Sequence, residues 1–260
     1  MPRNGMKITN MLRRAAITTL LIVVASASVH AEDIFADLTY YVRAGYSLGG
    51  TTPVGMPATI RKLSKFSPTT NIEIALDAYK PLKNKWGLMG GFHLENKGMD
   101  IDAEVKNYHM AMRQSDETLE GVFTGQVVTK VKQWMLTLML EATYDVSSKV
   151  RLKLGPYLSY LGSNDFSGYA YDGYLRVDNP TGNKVELGTD EASWGTYDFT
   201  DEMRKAQFGF EGGVDWYFDK RFGAYFDLSW GVTGIFKKDF KTIEQTLYPI
   251  YGTVGLTYLL

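Results

Sequence analysis

Strict alternation of apolar and polar residues dominates the C-terminal third of the chain. Between Gln207 and Phe218 the sequence reads QFGFEGGVDWYF, and almost every second residue is a large apolar or aromatic side chain. A second stretch of this kind, FGAYFDLSW, runs from Phe222 to Trp230 after a short polar turn. Successive side chains of a β-strand point to opposite faces, so this period of two predicts strands with one apolar face and one polar, glycine-rich face.

The same alternation predicts eight strands along the chain. We place them at 38–49, 70–80, 86–99, 129–145, 150–162, 204–218, 222–236 and 247–260. The connections alternate between short turns and longer loops, and the longer loops are 50–69, 100–128, 163–203 and 237–246. Long strands with an apolar face, joined in this way, are typical of a transmembrane barrel with lipid outside. The predicted fold is all-β, an eight-stranded antiparallel transmembrane β-barrel of up-and-down topology with long extracellular loops.

A soluble β-barrel or sandwich is the competing fold, because its strands alternate as well. Its strands are usually only about 5–6 residues long, however, and its loops do not alternate regularly between short and long. Aromatic residues also flank the predicted short turns, where rings favour the boundary between membrane and water. They are Trp86, Tyr144, Trp216, Phe218 and Phe222.

Residues 1–31 read as a signal peptide, and residues 32–260 as the barrel domain. Lys7, Arg13 and Arg14 form a basic start, an apolar run follows, and Val29-His30-Ala31 provides a small-residue cleavage pattern. A cleaved signal and a transmembrane barrel together predict the cell outer membrane. The chain has no Cys, which excludes disulfides, thiol catalysis and cysteine metal sites. Its net charge of −1 provides no basic field for nucleic acid.

Charged residues occupy the polar faces of the predicted strands, where they would point into the lumen. They comprise four basic and seven acidic residues, namely Arg43, Glu73, Asp77, Glu95, Lys97, Glu141, Arg151, Lys153, Glu211, Asp215 and Asp227. An eight-stranded barrel is just wide enough for side chains to fill it. We therefore expect these charges to pair as a plug, with glycines relieving the crowding. The many inward glycines leave a small-solute channel as the alternative.

Three short segments carry a family resemblance that extends over nearly all of residues 32–260. They are LENKGM at 94–99, LMLE at 138–141 and GPYLSYLG at 155–162. On these segments the chain resembles the PorT-like outer-membrane β-barrel family of Gram-negative bacteria. The resemblance implies a barrel in the outer membrane, and PorT itself is associated with secretion and gliding machinery. It implies no shared catalytic residues.

Two positions depart from the pattern of that family. Thr137 stands where such proteins often carry Pro, and Leu260 stands where an aromatic final residue is the usual assembly signal. Tyr258 keeps an aromatic side chain two residues earlier on the same face. We therefore expect Tyr258 and Leu260 to be recognised by the barrel-assembly machinery.

The sequence offers little for catalysis. Enzymatic outer-membrane barrels that modify lipids need a His with a Ser and an acid, but after residue 31 the only histidines are His93 and His109. His93 is expected to make a hydrogen bond in the lumen, and His109 lies in a long predicted loop. We predict no catalytic residues, no metal site and no cofactor, and a lipid-modifying enzyme is the least favoured function.

The longest predicted loop, 163–203, is acidic and rich in aromatic residues. Within it, LRVD at 175–178 and KVEL at 184–187 flank NPTGN, which predicts a hairpin with turn residues at its tip. A candidate binding surface is formed by Tyr169, Tyr171, Tyr174, Trp194 and Tyr197. The alternative is a solvated lid whose aromatic side chains only pack together. Alternation continues through 122–128, so the third and fourth strands are expected to extend beyond the membrane.

These observations predict a structural or surface-binding protein of the outer membrane, or a subunit of an envelope complex. The expected partners are outer-membrane lipid and lipopolysaccharide, the barrel-assembly machinery and an envelope protein complex.

Overall fold

The computed structural model describes residues 37–55, 57–114, 117–243 and 245–260. The predicted signal peptide, 1–31, lies outside the described residues. The strands are β1 (Thr39–Pro53), β2 (Ile60–Pro68), β3 (Ile72–Pro81), β4 (Trp86–Gln114), β5 (Glu117–Asp145), β6 (Val150–Val177), β7 (Lys184–Leu187), β8 (Gly195–Asp198), β9 (Ala206–Tyr217), β10 (Phe222–Gly231) and β11 (Leu247–Leu259). Single 3-10 turns occur at Glu191–Ser193 and Thr200–Glu202. In the described part of the chain, no helix is long and apolar enough to cross a membrane.

Eight of these strands form a closed ring of antiparallel ladders. Around the ring the order is β1, β3, β4, β5, β6, β9, β10 and β11, and β11 pairs again with β1. Three of the ladders begin at short turns. The strands that follow these turns, β4, β6 and β10, start at the predicted residues. The predicted all-β, antiparallel arrangement of eight strands is confirmed.

The outside of the ring carries a band of exposed apolar side chains. On β5 the outward face of the band runs from Trp134, which is exposed, to Tyr144, which is half-buried, a step of ten residues. At about 3.3 Å per residue and a tilt of about 40°, ten residues span about 25 Å, the height expected of a lipid-facing band. At the short-turn end, the rings of Trp86 and Tyr144 lie 5.1 Å apart, and those of Phe222 and Tyr258 lie 4.9 Å apart.

Three neighbouring strands continue well beyond this band. β4 and β5 have 29 residues each and β6 has 28, so together they form an extension above the long-loop end of the ring. The predicted extension of the third and fourth strands is therefore present, but the segments 100–114, 117–128 and 163–177 are strand rather than loop. The predicted hairpin pairs β6 with β7, from Gly173 opposite Leu187 to Arg176 opposite Lys184.

The segment 50–69 was expected to be a loop, and this expectation was wrong, because it contains β2. The apolar residues of β2 recur every three positions, at Ile60, Leu63 and Phe66, rather than every two. Register shifts in the ladder with β4 fall between Ile60 and Lys62 and between Leu63 and Lys65. A β-bulge inserts one extra residue on one strand of a pair, so two bulges convert a period of two into a period of three.

Candidate functional site

All eleven predicted lumen charges lie inside the ring. Each of these side chains is at least nine-tenths buried. Four of them are basic and seven are acidic. Ionised side chains buried away from water are costly unless they are paired and hydrogen-bonded. The contacts among these groups therefore determine whether the lumen is filled.

Arg43 of β1 is at the centre of these contacts. Its Nη2 atom lies 2.6 Å from Asp215 Oδ1 on β9, its Nη1 atom lies 3.1 Å from Asp227 Oδ2 on β10, and its Nε atom lies 2.9 Å from Asp77 Oδ2 on β3. The guanidinium also lies 4.5 Å from the centre of the Tyr225 ring. Only 1% of Arg43 is exposed, so one side chain spans the lumen and joins four strands.

Lys153 of β6 repeats this pattern from the other side of the lumen. Its Nζ atom lies 2.7 Å from Asp227 Oδ2, 3.5 Å from Asp215 Oδ1 and 4.0 Å from Glu141 Oε2. Asp215 and Asp227 are thus shared between two cations. We call Arg43, Asp77, Lys153, Asp215 and Asp227 the plug.

Further contacts tie β3 and β4 to the plug. His93 Nε2 lies 2.9 Å from Asp77 Oδ1, and His93 Nδ1 lies 3.7 Å from Glu73 Oε2. The Tyr225 hydroxyl donates a hydrogen bond of 2.8 Å to Glu73 across the lumen. His93 therefore lies where a hydrogen bond in the lumen was expected. Tyr225 was overlooked, although alternation with Asp227 would have placed it on the inner face.

The remaining predicted charges lie outside the plug. Lys97 Nζ lies 2.5 Å from Glu95 Oε1, and the Thr137 hydroxyl donates a short hydrogen bond to the other oxygen of Glu95. Glu211 lies in the lumen wall opposite Gly155 of β6. The structure therefore separates a central plug from a second layer nearer the long-loop end.

Arg151 lies at the short-turn end of the lumen. Its Nε atom contacts Asp145 Oδ1 at 2.7 Å, and its guanidinium carbon lies 3.5 Å from the centre of the Tyr79 ring. The rings of Tyr41 and Tyr217 also surround it. Sequence reasoning included Arg151 with the other charges but overlooked Asp145 and the tyrosines, which share its face by alternation.

Two glycines make room for the carboxylates of the plug. A Cβ atom at Gly91 would overlap the carboxylate of Asp77, and one at Gly213 would overlap that of Asp227. Each glycine lies directly opposite that aspartate in its ladder. The plug therefore requires glycine at these two positions as well as its charged side chains.

Above the two charged layers, the interior is apolar. A cavity of about 380 Å³ lies between β1, β2, β4, β5, β6, β8 and β11, and its lining includes Leu63, Phe66, Met99, Val105, Val127 and Ile250. We call it the chamber. Along β4 the change occurs between Lys97 and Met99, which are successive buried residues on the inner face. The chamber does not follow from the sequence pattern, because that pattern predicts a loop for the segment that supplies Leu63 and Phe66.

The five aromatic residues of the predicted binding surface divide into three groups. The rings of Tyr169 and Trp194 stack at 4.0 Å with an angle of 5° between their planes, and Tyr171 lies beside them. Tyr174 is separate and packs against Lys184, whose Nζ atom lies 4.8 Å from the ring centre. Tyr197 points inward and lines the chamber, so it does not belong to an exposed surface.

Hydrogen bonds hold Tyr171 and Tyr197 in these different settings. The Tyr171 hydroxyl donates to Asp102 Oδ2 at 3.0 Å, and burial together with this carboxylate raises the pKa of Tyr171 to about 12. The Tyr197 hydroxyl donates to the Val128 carbonyl at 2.7 Å, and burial raises the pKa of Tyr197. Phe166 turns inward after a bulge at Gly162, beyond which the even-numbered residues of β6 face inward as far as Ala170. Tyr197 of β8 lies opposite Gly168 on this inner face.

The two predicted assembly residues lie at the end of β11. The Tyr258 hydroxyl accepts a hydrogen bond of 3.2 Å from Arg221, and its ring packs on Phe222 on the outer face. Leu260 is exposed, and its amide donates to the Tyr40 carbonyl at 3.0 Å.

Comparison with known proteins identifies the family. Residues 28–237 match the family described as "Outer membrane protein beta-barrel domain". The chain belongs to this family. The closed ring with its exposed apolar band is therefore an outer-membrane barrel. No curated protein matches the chain.

The outer-membrane barrel is also similar to solved structures at low identity. Ail, the attachment invasion locus protein of Yersinia pestis, has 12% identity over 86% of this chain and 97% of its own, with a TM-score of 0.36. The NanC porin has 10% identity over 85% and 100%, with a TM-score of 0.25. The translocator domain of the autotransporter NalP from Neisseria meningitidis has 9% identity over 94% and 97%, with a TM-score of 0.24. At these TM-scores the likenesses say nothing about function.

Proposed function

We propose that this outer-membrane barrel is a closed binding protein of the cell surface rather than a channel. The observation that carries the proposal is the position of Arg43, which contacts Asp77, Asp215 and Asp227 across the lumen. A buried cation with three carboxylate partners on three other strands leaves little room for solutes in a barrel of this width. The proposed role includes no catalytic step and no cofactor.

Binding is assigned to the part of the barrel beyond the lipid-facing band. The extension of β4, β5 and β6 supports this assignment, because the stacked rings of Tyr169 and Trp194 lie on it and aromatic residues dominate binding hot spots. Outer-membrane lipid and lipopolysaccharide are the proposed environment, and the barrel-assembly machinery is the proposed insertion partner. Because the segments LENKGM, LMLE and GPYLSYLG resemble those of PorT-like proteins, we also propose that the protein is related to the PorT-like family and is a subunit of an envelope complex. A cleaved signal peptide at 1–31 would export the chain.

Single-channel conductance in a planar bilayer tests the closed lumen. The purified barrel should be silent. A variant that lacks the plug side chains, with Arg43, Lys153, Asp215 and Asp227 all replaced by Ala, should show discrete openings if it folds. The mobility shift of unheated protein in gels checks folding.

A control variant separates the plug from the short-turn mouth. Arg151→Glu changes a charge that lies beside Asp145 and Tyr79, outside the plug, and it should remain silent. Discrete and reproducible openings of the unaltered barrel would contradict the proposal and favour the small-solute channel.

A further inference from the structure

The chamber has the size and lining of a ligand site. Its volume of about 380 Å³ falls within the roughly 300–1,000 Å³ of known ligand pockets, which are mostly apolar with a few polar groups. Thr51 and Thr129 are among the few polar residues of the wall. Beneath the chamber lie Lys97, Glu95 and the plug, so a ligand in the chamber has no open path through the lumen. The site is therefore a dead end that suits binding rather than passage.

On one side of the chamber, the described residues of two neighbouring wall strands, β1 and β2, are not joined by a ladder of backbone hydrogen bonds. β1 pairs with β3 only as far as Tyr46, which lies opposite Ile72, and the amide of Ser47 then donates to the Asn71 carbonyl. Beyond this point β2 takes the place of β3 in the wall, but its ladder is with β4, and no ladder joins it to β1 in the described residues. We call the boundary between Gly49–Pro53 of β1 and β2 the seam.

The backbone at the seam confirms that a ladder is missing there. The amide of Thr51 donates to the sulfur of Met99 at 3.3 Å instead of to a carbonyl of a neighbouring strand. Thioether sulfur is a weak acceptor, so this edge of β1 is held less firmly than its other edge, which pairs with β11. The seam can therefore open at a smaller energetic cost than the ladders around it.

Apolar side chains flank the seam on both sides. Leu63 and Phe66 line the chamber, yet 48% and 44% of their surfaces are exposed, so the chamber is accessible at this edge. Leu48 of β1 is exposed beside it. The seam starts just beyond Tyr46, the last outward aromatic residue of β1, and so it lies at the upper margin of the lipid-facing band.

The bulges of β2 place basic side chains on the other face of the same strand. Arg61, Lys62 and Lys65 are exposed there, with Lys62 opposite Glu104 and Lys65 opposite Asp102. Asp102 also accepts the hydrogen bond of Tyr171. An apolar entrance with cations at its outer border suits a molecule that has a hydrocarbon tail and an anionic head.

We propose that the chamber binds one hydrocarbon chain of an anionic amphiphile, which enters sideways through the seam while its head remains beside the basic face of β2. This inference rests on the proposed function, because a closed lumen is what turns the chamber into a binding site. A free fatty acid and an acyl chain of a membrane lipid share the required chemistry.

Native mass spectrometry of the purified barrel, delipidated in detergent, tests the proposal with palmitate, lipid A and uncharged cetyl alcohol as probes. We expect a one-to-one adduct with palmitate or lipid A. An adduct with palmitate identifies a free fatty acid as a sufficient ligand, whereas an adduct with lipid A alone identifies a membrane lipid. Absence of an adduct with both anionic probes would overturn the proposal, and equal binding of cetyl alcohol would overturn its anionic part.

Two variants localise the adduct. Ala103→Phe fills the chamber and should weaken binding about tenfold or more. Ala142→Phe adds the same side chain on the lipid-facing side of β5 and should leave binding unchanged. Equal effects of the two variants would count against the chamber.

A palmitate with a photoreactive group at the end of its chain provides a test that needs no variant. Its cross-links should map to chamber-lining positions between Met99 and Met110, and labelling of the lipid-facing residues of β9 and β10 instead would overturn the proposal. Conductance of the same sample distinguishes the two proposals. A silent barrel without an adduct refutes only the lipid site, and a conducting barrel with an adduct refutes only the closed lumen.

Discussion

Arg43 Nη2 and Asp215 Oδ1 lie 2.6 Å apart inside the barrel, although 172 positions separate the two residues in the chain. The pair is inaccessible to solvent, with 1% of one side chain and 0% of the other exposed. Breaking a buried ion pair by removing one partner is far more costly than the pair is worth, because the remaining charge stays buried. The plug should therefore dominate the sensitivity of this barrel to substitution.

Replacing Arg43 by Met should lower the free energy of unfolding by about 3–5 kcal/mol, because Asp77, Asp215 and Asp227 lose a shared cation. Urea unfolding of the barrel in lipid vesicles measures this loss. Arg61→Met is the matched control, since Arg61 is exposed on β2 and should change stability by less than about 0.5 kcal/mol. Similar losses in both variants would contradict the central role of Arg43.

Gly213→Ala should destabilise the barrel by about 1–3 kcal/mol, because the new methyl group would overlap the Asp227 carboxylate. The neighbouring Gly212 faces lipid, and a Cβ atom there would meet the flexible Leu154 side chain at 3.2 Å. Gly212→Ala should therefore be nearly neutral in the same unfolding measurement. The prediction is wrong if the two alanine variants have the same midpoint.

Trp194→Ala should loosen the segment around the exposed residue Glu191, because the stack on Tyr169 is lost. Aromatic pairs contribute about 0.5–1.5 kcal/mol beyond burial, so cleavage at Glu191 by a Glu-specific protease should accelerate about fivefold. Trp216→Ala, which removes a ring at the short-turn end, should not alter the rate. Unchanged cleavage of the Trp194 variant would mean that the stack does not hold this segment.

The absence of Cys from the sequence allows a direct test of orientation. A single cysteine at Asn183, in the turn between β6 and β7, should react with a membrane-impermeant maleimide on intact cells. A cysteine at Ser148, in the short turn before β6, should react only after the outer membrane is permeabilised. The reverse pattern would place the extension of β4, β5 and β6 in the periplasm.

Much of the ring could be predicted from sequence, because alternation and short turns are local signals. The starts of β4, β6 and β10 at Trp86, Val150 and Phe222 match the predicted residues, since each follows a turn with few alternatives. The inward set of charged residues follows from the same alternation, because each lies on the face opposite a lipid-facing side chain.

Bulges and pairing partners account for what sequence reasoning missed. β2 was overlooked because two bulges give its apolar residues a spacing of three, and the inward turn of Tyr197 depends on strands that are distant in sequence. Alternation also could not show which acidic residues would meet Arg43, because strand order around the ring decides it. The chamber could not be predicted for the same reason, since its wall joins the first third of the chain to the last strand.

The contact between Arg43 and Asp215 also constrains the order of assembly. Arg43 belongs to the first strand, whereas Asp215 and Asp227 belong to strands completed near the end of the chain, so their contacts require loop closure over most of its length. We expect the plug to form only when β1 meets β11, which makes sealing of the cylinder and neutralisation of its interior a single event. A chain that stops before β9 would leave the Arg43 cation without two of its carboxylate partners, so an incomplete barrel would carry an unneutralised charge on its first strand.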